Sequence, residues 1–251
     1  MKSYRFIHLL YLLFLSVSLV SCDKDNDSEV LSHLFFGEES GKSGDDTGDK
    51  DDKYDQSKQY VDLGLSVKWA VCNLGAKQPQ DYGDYYAWGE IETKTSFNWL
   101  NYKFYNANTD KLTKYCTSSS YGDKDNRTSL TDSDDAASVL CGTGWRMPTH
   151  DEIVELFDHC SFTITTYRGT RGTQITSETN GESIFIPYAG YYEEKSIKEV
   201  KEDFYLWSKE LYAQTPSHAI CFNSNHNTKK IQLQGIERFY GFQIRAVYTG
   251  K

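Results

Sequence analysis

Three side chains able to bind a metal stand close together in the segment HAICFNSNH. They are His218, Cys221 and His226, and imidazole and thiolate groups are ligands that zinc prefers. The surrounding SHAICFN also has the composition of a β-strand, in which His218 and Cys221 would project from opposite faces. We therefore predict no metal site here, and no cofactor.

Acidic residues are plentiful, but their spacing does not identify a catalytic pair. A lysine-rich loop is flanked by Glu193, Glu194, Glu199, Glu202 and Asp203, which we interpret as a solvated surface. A glycosidase needs two carboxylates that face each other across a cleft, which a sequence does not show. Ser208 lies outside any Gly-x-Ser-x-Gly nucleophile motif and is predicted in a strand.

A second acidic group precedes a short helical segment. It comprises Asp123, Asp125, Asp132, Asp134 and Asp135. Carboxylates in a loop suit calcium, and the alternative is a polar loop that ends in a helix cap. We favour the polar loop, and the helix that it would cap is predicted from Asp134 to Leu140.

Aromatic residues are concentrated between Ile186 and Tyr212. They are Tyr188, Tyr191, Tyr192, Phe204, Tyr205, Trp207 and Tyr212. Exposed tyrosine and tryptophan offer a flat apolar face with a polar edge and lose little entropy on binding. We predict a ligand surface that uses Tyr191, Tyr192 and Trp207. The alternative is that these rings fill the core and the loop merely closes it.

The N-terminus combines a positive start, a short apolar run and a cysteine. Lys2 and Arg5 precede the apolar residues 6–20, a run too short to span a membrane and typical of a secretory signal peptide. Leu19-Val20-Ser21-Cys22 resembles the lipobox of bacterial lipoproteins, which implies a signal peptide over 1–21 and a lipid on Cys22. The membrane is then a partner of this chain through that lipid.

An acidic segment follows the lipid cysteine. Residues 23–58 contain twelve Asp or Glu and five Lys, with few apolar residues. Such a composition does not bury enough apolar surface to fold by itself, so residues 22–58 are predicted to be a flexible tether. An acidic run at this place also resembles the surface-export signal of Bacteroidetes lipoproteins. A periplasm-facing lipoprotein is the alternative.

From residue 59 to 251 the composition is that of one folded domain. It holds 30 aromatic residues and a net charge of only −4, without the basic surface that nucleic-acid binding needs. Thr149 and Glu152 predict a capping box. The helix that follows should bury Ile153, Leu156, Phe157 and Cys160 and expose Asp151 and Glu155.

Short strands are predicted around that helix. Alternation favours strands in SFTITTY, DFYLWS, SHAICFN, KKIQLQ and GFQIRAVY, and in the upstream segments VDLGLSVKWAVCNLG and YGDYYAWGE. Asn180-Gly181 predicts a hairpin turn. The fold class expected is α+β, with short antiparallel strands and one or two helices in a compact domain.

Several blocks resemble one known family. VDLGLSVKWAVCNLGA, DYGDYYAWGE, DSDDAASVLCGTGWRMPTHDEIVEL, TSETNGESIFIPYAG and GFQIRAV are similar, in this order, to the Fibrobacter succinogenes major paralogous domain family. Its members are commonly Bacteroidetes lipoproteins. WRMPTHDEIVEL also resembles a segment of the sulfatase-modifying-factor fold, which implies a C-type-lectin-like architecture. The family implies no established activity.

The cysteines do not point to an enzyme. Formylglycine-generating relatives use two cysteines near the C-terminus, whereas Cys221 has no second cysteine after it. Beyond Cys22 the chain has Cys72, Cys116, Cys141, Cys160 and Cys221. Their odd number leaves one thiol outside any intramolecular disulfide, and Cys72 and Cys160 fit core positions.

Together these features predict an outer-membrane lipoprotein, facing the cell surface, that is not an enzyme. Its domain is expected to bind a glycan (carbohydrate) or an extracellular protein, and no nucleic acid. The alternatives are a structural or accessory component of a cell-surface assembly and, third, a carbohydrate-active enzyme.

Overall fold

The computed structural model describes residues 60–250. The predicted signal peptide (1–21), the acidic tether (22–58) and the predicted lipid attachment at Cys22 lie outside the described residues. Residues 59 and 251, the ends of the predicted domain, lie outside them as well.

The described region is built mainly of short strands. The strands are β1 (Tyr60–Val61), β2 (Lys68–Ala70), β3 (Tyr105–Asn106), β4 (Lys111–Leu112), β5 (Trp145–Arg146), β6 (Cys160–Tyr167), β7 (Thr170–Ser177), β8 (Ser183–Pro187), β9 (Tyr191–Glu193), β10 (Ser196–Lys198), β11 (Tyr205–Leu211), β12 (His218–Asn225), β13 (Lys230–Glu237) and β14 (Val247–Tyr248). The helices are α1 (Ala136–Cys141) and α2 (His150–His159), with 3-10 turns at Trp99–Asn101 and Asp132–Asp134.

The strands form small antiparallel sheets. The order β1-β2-β14-β5 brings the first and last strands of the described region into one sheet, while β6-β7-β8 and β11-β12-β13 form two meanders. Two strand pairs, β9-β10 and β3-β4, complete the set. The described region therefore consists mostly of small antiparallel sheets with two short helices, an architecture compatible with the predicted α+β class and also with a mostly-β one. The predicted strand in YGDYYAWGE is reduced to a single bridge, between Tyr86 and Phe242.

Helix α2 begins where the sequence predicts. The Thr149 side chain accepts a hydrogen bond from the Glu152 backbone, and the Glu152 side chain accepts one from the Thr149 backbone, so the capping box is confirmed. Ile153 and Leu156 are completely buried, and burial of each contributes about 1.5 to 3 kcal/mol. Phe157 is only half-buried.

The prediction that Glu155 is exposed is wrong. Its carboxylate accepts hydrogen bonds from the backbone N–H of Ser66, at 3.0 Å, and from the Ser66 hydroxyl, at 2.5 Å. These contacts fasten α2 to the loop between β1 and β2, and they cover the side chain in part. Asp151 is exposed as predicted.

The predicted hairpin at Asn180-Gly181 is confirmed. It joins β7 to β8, and Gly181 has a φ of +79°, a conformation that favours glycine. The Asn180 side chain also donates to the Asp62 carbonyl at 2.8 Å. The turn therefore connects this sheet to the segment after β1.

The β11-β12-β13 sheet separates two apolar cores. Strand alternation places Trp207, Ala219 and Cys221 in a cluster with Trp88 and Phe242. Leu206 and Phe222 point the other way, into a cluster with Trp69, Ile153 and Leu156. Because β12 is a regular strand, His218 and Cys221 project from opposite faces, as the sequence predicts.

Two arginines of the quoted sequence blocks hold the sheets together. The Arg245 guanidinium is completely buried and donates to the carbonyls of Ala70 in β2, at 3.0 Å, and Phe185 in β8, at 2.8 Å. Arg146 donates to the Glu152 carboxylate, at 2.7 Å through Nη1, which joins β5 to α2. These side chains stabilise the fold rather than form a site.

The described cysteines lie mainly in the core. Cys72, Cys116, Cys160 and Cys221 are buried, which confirms the core positions predicted for Cys72 and Cys160. Burial raises the pKa of the Cys160 thiol to about 11. Neither helix of residues 60–250 is long and apolar enough to cross a bilayer.

Candidate functional site

The aspartates before α1 stabilise the local backbone. Asp125 accepts hydrogen bonds from the backbone N–H groups of Tyr115 and Cys116, both at 2.9 Å. Asp135 is completely buried, caps α1 through the Ser138 N–H at 3.0 Å, and accepts from Met147 N–H at 2.9 Å. This is the polar loop with a helix cap that the sequence favours over a calcium site.

Asp134 is the centre of a small charged network. Its carboxylate binds the Nζ of Lys103 at 2.9 Å, the Nζ of Lys114, and the Tyr115 hydroxyl at 2.7 Å. Burial by itself would raise the pKa of this carboxyl, but the hydrogen bonds from Lys114, Lys103 and Tyr115 outweigh it and lower the pKa to about 2. Asp134 is therefore ionised and structurally engaged.

Trp207, one of the three predicted ligand residues, does not belong to a surface. It is 0 % exposed, its indole N–H donates to the Tyr86 carbonyl at 2.8 Å, and its ring stacks on Phe242 with centroids 4.2 Å apart. Alternation in β11 turns Trp207 into the larger core, so the prediction for this residue is corrected. Tyr188 and Phe204 are also buried, in agreement with the alternative that the aromatic rings of this segment fill the core.

Tyr191 and Tyr192, the other two predicted residues, lie on opposite faces of β9. Both are half-buried. Tyr192 packs on Phe97, with ring centroids 5.1 Å apart, and on Tyr85 at 5.6 Å. Tyr191 turns the other way, toward β11 and the segment after β13. The structure therefore separates the two tyrosines, and Tyr191 lines a cavity on its side of β9.

The cavity beside Tyr191 is walled mainly by aromatic rings. Its lining residues, which we call the tyrosine pocket, are Tyr191, Tyr205, Gln234, Ile236, Tyr240 and Phe242, and its volume is about 170 Å³. Tyr191 stands nearly perpendicular to Tyr240, at 89°, and to Phe242, at 83°, whereas the rings of Tyr240 and Phe242 are almost parallel. The pocket thus presents ring faces and phenol hydroxyl groups together.

Backbone pairing at Gly241 positions the pocket. Gly241 N–H donates to the Tyr192 carbonyl at 2.9 Å, and Tyr192 N–H donates to the Gly241 carbonyl at 2.8 Å. A Cβ at residue 241 would lie 2.7 Å from the Phe97 ring and 2.8 Å from Tyr192 Cβ, closer than real Cβ contacts. The absence of a side chain at Gly241 therefore allows β9 to approach and brings Tyr191 beside Tyr240 and Phe242.

Two carboxylates are hydrogen-bonded to the pocket's phenols. The Tyr240 hydroxyl donates to Glu193 at 3.2 Å, and the Tyr205 hydroxyl donates to Glu199 at 2.5 Å. Burial and then these carboxylates raise the pKa of both phenols well above the ordinary value. The phenols are therefore neutral donors at physiological pH.

A third carboxylate, that of Glu237, interacts electrostatically with Glu193. Burial, followed by the negative charge of Glu193, raises the pKa of Glu237 above its usual range. Two carboxyl groups thus repel each other beside Tyr240. The carboxylates that bind the Tyr240 and Tyr205 hydroxyls thus add negative charge next to the tyrosine pocket.

Behind the pocket, the structure brings together Glu199, Asp203 and His226, whose potential ligand atoms lie within 4.8 Å of one another. These three side chains offer ligand atoms of the kinds that coordinate a divalent cation. Each member also has a protein partner, since His226 Nδ1 lies 2.5 Å from Asp203 Oδ2 and Glu199 accepts from Tyr205. The Asp203 carboxylate raises the pKa of His226.

Asp203 corrects the sequence interpretation of a solvated acidic loop. It is 1 % exposed and accepts a hydrogen bond from the Ser224 hydroxyl at 2.8 Å. Glu194 and Glu202 are exposed as predicted, while Glu193 and Glu199 are half-buried. The difference arises because Asp203 begins the buried approach to β11 and needs internal partners there.

Five lining residues of the pocket lie outside the predicted ligand surface. They are Tyr205, Gln234, Ile236, Tyr240 and Phe242, of which Tyr205 belongs to the aromatic group noted in the sequence. The segment ERFYGFQIRAV contains three aromatic residues in four positions, and that density was the available signal. It did not show that this segment lies beside β9, because the pairing joins positions almost fifty residues apart.

Comparisons of the chain with protein-family models, with curated proteins and with solved structures found no match.

Proposed function

We propose that this domain is a binding module that recognises an extracellular ligand, a glycan or a protein, without chemical turnover. The ligand site in this proposal is the tyrosine pocket. It replaces the predicted surface of Tyr191, Tyr192 and Trp207, of which only Tyr191 lines the pocket.

The observation that carries the proposal is the combination of open rings and neutral hydroxyl groups in one cavity. Tyr191, Tyr205 and Tyr240 contribute three phenols, and all three are half-buried, with part of each side chain accessible. Aromatic side chains with a polar tip are typical of binding surfaces because they give a large contact area at a low entropy cost. Ligand sites also combine apolar walls with a few placed polar groups.

We further propose that the domain has a C-type-lectin-like architecture and is related to the Fibrobacter succinogenes major paralogous domain family. Support comes from the segment that carries the resemblance, because Thr149 begins a capped helix and Arg146 binds Glu152 within it. In the same proposal the chain is an outer-membrane lipoprotein, attached through lipid on Cys22 and facing the cell surface. The acidic tether would hold the domain away from the membrane.

The binding proposal is tested with a glycan and matrix-protein array. The full chain, purified in detergent, is applied as wild type, as Tyr240→Ala and as the control Tyr121→Ala, which changes an exposed tyrosine at a distant loop. We expect the wild type and the control to retain the same ligand and Tyr240→Ala to lose it. Equal retention by folded Tyr240→Ala would place binding elsewhere, and release of cleaved polysaccharide would contradict a module without turnover.

The lipid anchor gives an independent prediction. Cys22→Ala removes the only sulfur that the lipobox offers for acylation, so incorporation of labelled fatty acid should be lost and the protein should leave the membrane fraction. The measurement is metabolic labelling followed by fractionation, with Cys72→Ala as the matched control. Continued labelling of Cys22→Ala would refute the anchor.

A further inference from the structure

We propose that the tyrosine pocket binds the guanidinium group of an arginine side chain exposed on a protein partner. This inference rests on the proposed function and names the ligand class of the same site. Of the two ligand classes proposed above, it selects the protein.

The first step is the charge of the pocket. Among residues 60–250, the Glu193 carboxylate accepts a hydrogen bond from the neutral Tyr240 hydroxyl alone, and its negative charge also acts on the Glu237 carboxyl. In the described part of the chain, no lysine, arginine or histidine nitrogen lies within 4.0 Å of either carboxylate. Two neighbouring acidic groups without a cationic partner form a site that a cation complements.

The second step is the aromatic wall. A cation over the face of a tyrosine or phenylalanine ring is attracted by the quadrupole of that ring. The pocket offers the rings of Tyr191, Tyr205, Tyr240 and Phe242 around one cavity. A neutral sugar could stack on these rings, but it would leave the charges of Glu193 and Glu237 unbalanced.

The third step distinguishes a guanidinium from an ammonium group. A guanidinium is planar, stacks on ring faces, and donates two parallel hydrogen bonds to one carboxylate. Tyr240 is half-buried, so part of its ring is accessible to a flat group, and the Glu193 carboxylate accepts a hydrogen bond from the Tyr240 hydroxyl. The Tyr240 ring and the Glu193 carboxylate are therefore adjacent, so that a guanidinium could stack on the ring and donate to the carboxylate.

The same fold already holds a guanidinium in this manner. Arg238 is completely buried, with its Cζ 5.4 Å from the centroid of the Trp88 ring and 5.3 Å from that of Tyr102. That internal arrangement has two ring faces and carbonyl acceptors for Nη1, whereas Nε and Nη2 have no hydrogen-bond partner among residues 60–250. The tyrosine pocket likewise combines aromatic rings with hydrogen-bond acceptors, but it lies at the surface and its acceptors are carboxylates instead of carbonyls.

The size of the pocket indicates how the arginine is presented. A volume of about 170 Å³ accommodates the end of one side chain. The rest of the ligand then lies outside, and an arginine on the surface of a folded or extended protein segment meets that condition. The partner is thus recognised by one inserted side chain and by its immediate surroundings.

The test is a fluorescence-anisotropy titration of the full chain with capped Gly-Gly-Arg-Gly-Gly. Matched peptides carry lysine or citrulline at the third position, and citrulline keeps the shape of arginine without its charge. We expect saturable binding of the arginine peptide, about tenfold weaker binding of the lysine peptide and at least about tenfold weaker binding of the citrulline peptide.

Two protein variants locate the effect. Glu193→Gln keeps an acceptor for the Tyr240 hydroxyl but removes the charge, so the fold should persist and the arginine peptide should bind about tenfold more weakly. Glu178→Gln, at an exposed turn, should bind as the wild type does. Near-ultraviolet circular dichroism verifies that both variants are folded.

Each remaining outcome is decisive. Equal affinity for citrulline, equal or tighter binding of lysine, or unchanged binding by Glu193→Gln overturns the guanidinium assignment. If no peptide binds but an array glycan binds in a Tyr240-dependent manner, the arginine inference fails while the proposed binding function stands. If neither binds, both fail.

Discussion

At the scale of single residues, the notable feature is how the buried charges of Arg245, Asp134 and Asp135 are satisfied. Arg245 donates hydrogen bonds to β2 and β8, Asp135 accepts backbone N–H groups, and Asp134 binds two lysines and a tyrosine. Buried charges are tolerated when they are paired and hydrogen-bonded. In contrast, Glu193 and Glu237 form no ion pair within residues 60–250, which is why we regard these carboxylates as functional rather than structural.

Asp134 predicts a specific acid sensitivity. Its folded-state pKa of about 2 lies below the ordinary 3.8, so its network contributes stability above about pH 4 that is lost as the pH falls toward 2. Asp134→Asn should lower stability at neutral pH and flatten the loss of stability over that window. Urea unfolding across the pH range measures both effects.

The control for this prediction is Asp132→Asn, which changes an exposed aspartate in the same 3-10 turn. It should retain the acid dependence of the wild type. If Asp134→Asn and the wild type lose stability in parallel between pH 4 and 2, the network is not the source of that dependence.

At the scale of elements, helix α2 is the clearest link between the sequence and the core that contains Trp69. Leu156→Ala should lower the free energy of unfolding by about 2 to 5 kcal/mol, because the side chain is fully buried and a cavity would remain. Asp158→Ala, on the exposed face, should stay within about 0.5 kcal/mol. Chemical denaturation measures both, and similar losses would mean that the packing of α2 is misassigned.

Local signals explain what could be predicted from the sequence. The capping box at Thr149, the turn at Asn180-Gly181 and the opposite faces of His218 and Cys221 depend on neighbours a few residues apart, and the structure confirms all three. The tyrosine pocket depends on contacts between β9, β11 and the segment after β13. Burial of Trp207 depends on which face of β11 meets the larger core, and alternation alone does not determine that face.

Gly241 predicts how the pocket depends on its supporting elements. Gly241→Ala places a Cβ against Phe97 and Tyr192, so β9 must move, at a cost of about 1 to 3 kcal/mol. The variant should also lose the array ligand, because Tyr191 moves with β9. Denaturation and the array test this together, and a stable variant with full binding would contradict the role given to Gly241.

At the scale of the whole molecule, the charge distribution agrees with a cationic partner. The chain carries a formal net charge of −9, which accelerates the approach of positively charged ligands and makes the association rate sensitive to salt. The domain alone is less acidic than the segment that precedes it. The full chain therefore attracts positively charged ligands over a long range, whereas the tyrosine pocket determines which of these ligands binds.

The most direct test of the central claim is to observe the pocket tyrosines while a ligand binds. The chain has 19 tyrosines, whose rings can be labelled with ¹³C and assigned by Tyr→Phe substitution. Addition of the arginine pentapeptide should shift the ring signals of Tyr191, Tyr205 and Tyr240 and leave that of Tyr121 unchanged. Saturable binding without shifts at those three rings, or with shifts confined to other tyrosines, would contradict the tyrosine pocket as the ligand site.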